Sequence, residues 1–223
     1  MTSSLPDDVA AARIQLGRAY RRLGHAIAGH HVSAASLDAV TAEVERLERE
    51  VAGGTARNRQ IERPSGDWGP GPADGEEMFS FDERPISGRA APYGLDLTVI
   101  REGDEAVGHV TLGDAHEGAP GRSHGGIISA LFDDVFGFVL TIERQAAFTG
   151  TLTIRYEQGV PIGEPLQCRV RLDRREGRKL FMSGELTIGP SGPDARSGAH
   201  VVTRATAVFI SIPEETFGSG ARA

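Results

Sequence analysis

Two adjacent aspartates interrupt the most apolar stretch of this sequence. Residues 127–140 read IISALFDDVFGFVL, so Asp133 and Asp134 stand among apolar side chains. A helix that is apolar almost all round is expected to be buried, and a buried carboxylate is costly unless it is paired or hydrogen-bonded. Carboxylates in such surroundings often mark functional sites. We therefore expect chemistry at one or both of the pair; the alternative is that one or both reach a subunit boundary and pair with an arginine. For Asp134 alone the structural interpretation is favoured.

Two glycines precede this stretch in the sequence Ser123-His124-Gly125-Gly126, and the pattern predicts a helix from Gly125 to Thr141. The first N–H groups of a helix have no partner within it and lie at the positive end of its dipole. Because glycines carry no side chain, a substrate atom can approach the backbone here. The sequence therefore predicts an oxyanion hole at the start of the helix.

The spacing between the two candidate groups predicts how many chains form one site. Gly125 and Asp133 are eight residues apart, which is about 12 Å along a helix axis. A reacting carbonyl must lie within about 3 Å of both groups. One helix cannot satisfy that, whereas two copies that run antiparallel across a two-fold axis can. We therefore expect a homodimer with two shared sites.

The composition excludes several classes of protein. The chain has 223 residues, a formal net charge of −7 and one cysteine, Cys168. One thiol excludes a disulfide framework, and the acidic balance argues against a general nucleic-acid binder. No uninterrupted apolar run reaches the ~18 residues of a membrane span, and residues 1–15 lack the pattern of a secretory signal. We expect a cytoplasmic protein that contacts neither nucleic acid nor membrane.

The motifs of metal and nucleotide sites are also missing from the sequence. It has no HExxH pattern, no clustered Cys and His, no GxSxG and no GxxxxGK[ST]. Cys168 alternates with polar neighbours on a predicted strand, which favours a buried core thiol over a nucleophile. We therefore expect neither a metal nor a cofactor.

The chain divides into three predicted parts. Residues 1–54 form a helical hairpin with a narrow apolar seam, capped at its second helix by Ser36. Residues 55–76 are a Gly- and Pro-rich linker, and residues 77–223 are the main domain. Short alternating strands surround the central helix there, so the fold class is α+β with one antiparallel sheet. The predicted strands are Met78–Phe81, Leu95–Arg101, Ala106–Leu112, Thr149–Gln158, Leu166–Arg175, Leu180–Ile188 and His200–Ile212.

The stretch HEGAPGRSHGGIISALFDDVFG, followed by TGTLTIRYEQGVPIGEPLQCRVRLDRREGRKLFMSGEL, resembles the hotdog-fold acyl-CoA thioesterases of the PaaI-like group. The resemblance covers about residues 77–212. It implies a sheet wrapped around the long helix, dimers or tetramers, and hydrolysis of acyl-CoA to a carboxylate and CoA. The helices of residues 1–54 are not part of that minimal fold.

The resemblance also implies roles for particular residues. Asp133 matches the catalytic carboxylate, as nucleophile or as base for water, and Gly125 matches the oxyanion donor. His124 matches the histidine that orients the thioester, and Thr149 matches a hydroxyl that places the water or the carboxylate. Where some members have an asparagine six positions before the histidine, this chain has Gly118.

Two further regions are candidates for binding the substrate. Six cations lie between Arg169 and Lys179, and coenzyme A carries phosphates that favour such side chains. In similar proteins the GRK turn lies near these phosphates, so Arg178 and Lys179 are candidate contacts. The alternative is that the cations only keep a solvent-exposed hairpin edge from pairing with another strand. The acyl group is expected beside the central helix, near Phe136 and Leu140.

Two other functions share this fold. A non-catalytic acyl-CoA-binding or regulatory protein would need the same cradle but not the carboxylate of Asp133, so that residue favours the enzyme. A hydratase would need an Asp and His acid–base motif that this sequence does not contain.

Overall fold

The computed structural model describes residues 6–57, 71–189 and 200–213. The helices are α1 (Asp7–Gly29), α2 (Ala34–Ala52) and α3 (Gly125–Ile142). The strands are β1 (Glu77–Met78), β2 (Thr98–Glu102), β3 (Glu105–Thr111), β4 (Glu117–Ala119), β5 (Arg122–Ser123), β6 (Ala147–Tyr156), β7 (Pro165–Glu176), β8 (Lys179–Ile188) and β9 (His200–Ser211). Most of the predicted linker, residues 58–70, lies outside the described residues.

One antiparallel sheet organises the main domain. Its strand order is β1-β2-β3-β7-β8-β9-β6, and every neighbouring pair is antiparallel. All seven predicted strands are therefore confirmed, with ends that shift by a few residues; Met78–Phe81 shortens most, to Glu77–Met78. Ten-residue β6 forms one edge of the sheet and pairs with β9 alone among the described strands.

The helix α3 is the core that the sheet wraps. Its buried residues include Leu131, Phe132, Val135 and Val139, which pack on β3 and β7 side chains such as Val110. By length and composition α3 could cross a membrane, but its burial under the sheet is the pattern of a core helix. Burial of this apolar surface is the main favourable contribution to folding.

The two N-terminal helices differ in their packing. α1 lies against the main domain, where a Cβ on Gly17 would come within 2.7 Å of the Ala90 backbone. α2 buries none of its residues, although its seam carries exposed side chains such as Leu37 and Val51. The predicted cap of α2 was wrong: Ser33, rather than Ser36, precedes the helix, and its Oγ accepts the Ser36 N–H at 3.2 Å.

Candidate active site

A hydrogen bond joins the central helix to the edge strand. The hydroxyl of Thr149, near the start of β6, donates to Oδ1 of Asp133 at 2.8 Å. The register of β6 shifts between Thr149 and Thr151, and such a bulge can re-aim a side chain. The structure thus brings together two of the predicted site residues, which are 16 positions apart.

The burial of the two aspartates differs from the prediction. Asp134 is buried, whereas Asp133 is exposed in the single chain. Successive helix residues point about 100° apart, so one aspartate turns into the protein while its neighbour faces the open side beside β6. An exposed carboxylate at this place can be reached by water and by a substrate.

Asp134 has the structural role that the sequence favoured. Nε of Arg84 donates to Asp134 Oδ1, and Nη2 of Arg84 donates to the Asp134 carbonyl at 3.1 Å. The same guanidinium lies 5.3 Å from the centre of the Phe138 ring. A Cβ on Gly137 would overlap the Arg84 guanidinium, so the glycine is what lets the arginine lie across the helix. Sequence reasoning predicted an arginine partner at a subunit boundary, whereas the partner, Arg84, belongs to the same chain.

The start of α3 presents one unused N–H group. His124 is the cap of the helix, and its Nδ1 accepts the Gly126 N–H at 3.0 Å. The Ile127 N–H donates to the His124 carbonyl at 3.0 Å. The Gly125 N–H finds no acceptor among the described residues, so it is free to donate to a ligand, whereas the N–H of Gly126 is engaged by the histidine.

Tyr156 and Ser129 hold this helix start and were not assigned to the site from the sequence. The Tyr156 hydroxyl donates to the Gly125 carbonyl at 2.8 Å and lies 2.8 Å from the Ser129 hydroxyl. A Cβ on Gly125 would meet the Tyr156 ring at 3.2 Å. Tyr156 belongs to the motif that carries the resemblance, so the sequence offered a reason to assign it to the site. Nothing in the sequence pointed to Ser129.

Gly118 is also explained by the backbone near His124. A Cβ at position 118 would come within 2.8 Å of the His124 Cα. The asparagine found in some similar proteins therefore does not fit this backbone without a shift.

A cavity of about 400 Å³ opens beside Asp133 and Thr149. One wall comes from residues 76–81 and Arg84, and the other comes from α3 and β6. Its lining residues are Pro72, Glu76, Glu77, Met78, Phe79, Ser80, Phe81, Arg84, Asp133, Gly137, Phe138, Leu140, Thr141, Ala147, Phe148, Thr149 and Phe209. Leu140 is among them as expected. Phe136 is not: its side chain is fully buried in the core, 6.3 Å from the Phe209 ring.

The predicted CoA contacts lie at the same end of the sheet as this cavity. Arg178 lies in the turn between β7 and β8, and its Nε donates to the Ser211 carbonyl at 3.1 Å. Ser211 in turn pairs with Ala147 at the start of β6, and Lys179 begins β8. Both cations are exposed.

The two halves of the predicted site are apart within one chain. Thr149 and Tyr156, which contact Asp133 and Gly125 respectively, are seven residues apart on β6, or roughly 20 Å of extended strand. The cavity is lined by Asp133 but not by Gly125 or His124. This separation is what the helix spacing predicted.

Among the described residues, neither a cluster of metal ligands nor the cysteine thiol is part of this site. No three His, Cys, Asp or Glu side chains of residues 6–57, 71–189 and 200–213 lie where they could hold a metal ion. Cys168 is fully buried, and burial raises the pKa of its thiol, so the predicted core role is confirmed.

Comparison with known proteins finds similarity to thioesterases. Residues 121–193 match the thioesterase superfamily. The chain is 36% identical over 67 residues to human acyl-coenzyme A thioesterase THEM5 (30% of this chain, 27% of that protein). It is 30% identical over 110 residues to acyl-coenzyme A thioesterase THEM4 of Bos taurus (48% and 45%). It therefore aligns with less than half the length of these relatives.

A solved structure shows the same fold over most of the chain. A crystal structure of a thioesterase superfamily protein superimposes with a TM-score of 0.71, at 24% identity, and covers 89% of this chain and 94% of its own. The predicted hotdog fold is confirmed, and the superposition is wide enough to include N-terminal helices.

Proposed function

We propose that this chain, whose hotdog domain matches the thioesterase superfamily over residues 121–193, hydrolyses acyl-CoA thioesters to a carboxylate and CoA. The observation that carries the proposal is the Thr149–Asp133 hydrogen bond at the edge of a cavity large enough for an acyl group. The relatives named acyl-coenzyme A thioesterases support it.

Asp133 supplies the reacting carboxylate. As a general base it takes a proton from water, and the hydroxide adds to the thioester carbonyl. The tetrahedral intermediate then expels the CoA thiolate as the C–S bond breaks, and the thiolate takes up the proton. As a nucleophile, Asp133 would instead form an anhydride that water opens. In both routes the Thr149 hydroxyl orients the carboxylate through the bond to Oδ1.

The oxyanion is stabilised by the Gly125 N–H of the partner subunit in a homodimer. Edge strand β6 pairs with β9 alone among the described strands, so its other side can pair with a second copy of the chain. An antiparallel pairing of two copies centred between Leu152 and Thr153 sets Thr149 opposite Tyr156 of the partner subunit. Because Tyr156 holds Gly125 in place, this pairing brings the free N–H to the carboxylate. Each dimer then contains two sites, and neither site is complete in one chain.

The substrate lies across the end of the sheet. The acyl group enters the cavity between α3 and residues 76–84, where five phenylalanines line the walls (Phe79, Phe81, Phe138, Phe148 and Phe209). Such a lining suits aryl and medium-length aliphatic acyl groups alike. Arg178 and Lys179 contact the CoA phosphates in this proposal, which their exposure at this end of the sheet supports.

Release of CoA from a panel of acyl-CoA substrates tests the function. The Asp133→Asn variant keeps the size of the side chain but removes the base, so we expect about a 10³-fold lower kcat with substrate binding retained. Asp104→Asn, in the exposed turn between β2 and β3, is the matched control and should behave as wild type. Wild-type protein that binds acyl-CoA tightly and releases no CoA would instead be an acyl-CoA-binding protein.

A further inference from the structure

The residues that connect β1 to β2 form the cavity wall opposite α3. We call residues 79–97 the strap. No helix or strand lies within it, yet its backbone is hydrogen-bonded to itself: the Ala90 N–H donates to the Asp82 carbonyl at 2.7 Å, and the Leu95 N–H donates to the Ile86 carbonyl at 2.8 Å. Its first part, including Phe79 and Arg84, lines the cavity. The position of the strap therefore sets the width of the space that an acyl group would fill.

One arginine fixes the strap to the central helix. Arg84 belongs to the strap, and its guanidinium holds both the side chain and the carbonyl of Asp134. The missing Cβ of Gly137 gives the guanidinium its place on the helix surface. The neighbour of the reacting carboxylate is therefore an anchor for the cavity wall, which assigns a role to each member of the aspartate pair.

A second arginine fixes the strap from the other side, and it comes from outside the hotdog domain. The side chain of Arg21, in α1, is 5% exposed, and its Nη1 donates to the Ala91 carbonyl at 2.7 Å and to the Arg89 carbonyl at 3.2 Å. Its Nη2 donates to Asp96 Oδ1 at 2.7 Å. Two strap carbonyls and one strap carboxylate thus depend on a single α1 side chain.

α1 packs directly against the backbone of the strap. A Cβ on Gly17 would come within 2.7 Å of the Ala90 backbone, so the helix touches the strap backbone directly. Because interiors are close-packed, a displacement of α1 is transmitted to the strap rather than absorbed.

From these contacts we infer that α1 is a specificity element: through Arg21 it holds the strap at the position that selects the length of the acyl chain. The inference rests on the proposed function, because it takes the cavity as the acyl site. Arg21 and Arg84 are positioning residues, since Arg21 does not line the cavity and Arg84 anchors its wall.

Binding of non-hydrolysable S-alkyl-CoA thioethers, from two to sixteen carbons, measures this selection without catalysis. In Arg21→Met the strap loses its hydrogen bonds to α1 and can move away from α3. The wider cavity then accommodates longer alkyl chains better, and short chains lose contacts with its walls. We expect the ratio of Kd values between short and long thioethers to change about 5-fold or more. Arg46→Met, which removes an exposed α2 arginine that also holds two carboxylates, should leave the ratio within about 2-fold of wild type.

A second readout separates positioning from general damage. For the best acyl-CoA substrate, Arg21→Met should change KM and leave kcat within about 2-fold, because Asp133 and Thr149 do not contact Arg21. Arg21→Lys keeps the charge and a donor and should restore part of the wild-type length profile. If Arg21→Met fails to fold, the length profile of Arg21→Lys tests the role of Arg21 in its place.

The outcomes distinguish the two proposals. A folded Arg21→Met protein with the wild-type length profile, or with equal loss at every length, overturns the role of α1 even where the protein hydrolyses acyl-CoA. Wild-type protein that binds the thioethers with a length preference but hydrolyses none of the acyl-CoA thioesters refutes the proposed thioesterase activity. In that case the ratio of Kd values in Arg21→Met still decides the role of α1. Wild-type protein that binds none of them overturns both.

Discussion

The Thr149 hydroxyl donates a 2.8 Å hydrogen bond to Oδ1 of Asp133 across the gap between the edge strand and the central helix. The bond occupies one lone pair of the carboxylate and fixes its orientation toward the cavity that both residues line. A carboxylate held in this way is ready to take a proton or to attack without first losing rotational freedom.

Replacing Thr149 tests the value of this bond. Thr149→Val keeps the shape of the side chain and removes the donor, so we expect kcat to fall about 10-fold with little change in KM. Thr149→Ser keeps the hydroxyl and should stay near wild type. Steady-state CoA release measures both, and a Thr149→Val enzyme with wild-type kcat would show that the bond has no role in catalysis.

Tyr156→Phe tests whether the start of α3 must be held in place. The variant loses the hydroxyl bonds to the Gly125 carbonyl and to Ser129, which together contribute about 1 kcal/mol. Because the proposed oxyanion donor is the N–H of the same glycine, we expect kcat to fall about 5-fold. Tyr93→Phe, at an exposed tyrosine of the strap, is the control for loss of a phenol. Equal kinetics in the two variants would contradict the role of Tyr156.

The Arg84–Asp134 pair should stabilise the fold in a way that depends on both partners. Arg84→Met leaves the Asp134 carboxylate buried without its cation, and we expect a loss of about 3–5 kcal/mol in the free energy of unfolding. The double variant Arg84→Met, Asp134→Leu removes the buried charge as well and should recover most of that loss. Urea unfolding of the wild type, Arg84→Met, Asp134→Leu and the double variant measures this, and additive losses would contradict the pairing.

The contact between α1 and the main domain should weaken in acid. Burial lowers the pKa of His116 from its ordinary value of 6.5, and the nearby His25 lowers it further, while Asp96 opposes the shift. Because the pKa of His116 is lower in the folded state, the unfolded chain binds the proton more readily. The contribution of neutral His116 to the free energy of unfolding is therefore complete above about pH 6.5 and is lost as the pH falls below that value. The Gly113 N–H donates to His116 Nδ1, which requires that nitrogen to be unprotonated.

Thermal unfolding between pH 7.5 and 5 measures this dependence. Wild-type Tm should fall over the lower half of the range, and His116→Gln, which can still accept the Gly113 N–H, should fall less. Identical pH profiles for the two proteins would show that His116 does not cause the loss.

The local patterns were enough to predict the main elements. Alternation in β7 and the apolar run of α3 are properties of neighbouring residues, and they identified the sheet, the core helix and Cys168 as a core thiol. The eight-residue spacing between Gly125 and Asp133 likewise needs only helix geometry.

Contacts between distant residues were beyond those patterns. Arg84 reaches Asp134 across 50 positions, and Arg21 reaches Asp96 across 75. Nothing in either neighbourhood indicates its partner, so the strap and its anchors were missed. Phe136 was expected at the pocket because it belongs to the central helix, but its direction from the helix axis puts it in the core.

Mixing two inactive variants tests most directly whether each site is built from two chains. Asp133→Asn removes the carboxylate, and Gly125→Pro removes the oxyanion N–H. Proline is tolerated at the first position of a helix, and the preceding His124 already has the extended backbone (φ −65°, ψ 135°) that proline requires. The added Cβ would meet the Tyr156 ring at 3.2 Å, so that ring must shift slightly in this variant. Random mixing gives half heterodimers, each with one intact site of two.

We therefore predict that co-refolding equal amounts of the two inactive proteins restores about a quarter of the wild-type kcat. Mass spectrometry under native conditions confirms that the heterodimers have formed. If they form and the mixture stays as inactive as its components, the carboxylate and the oxyanion donor of one site belong to the same chain, and the shared site is refuted.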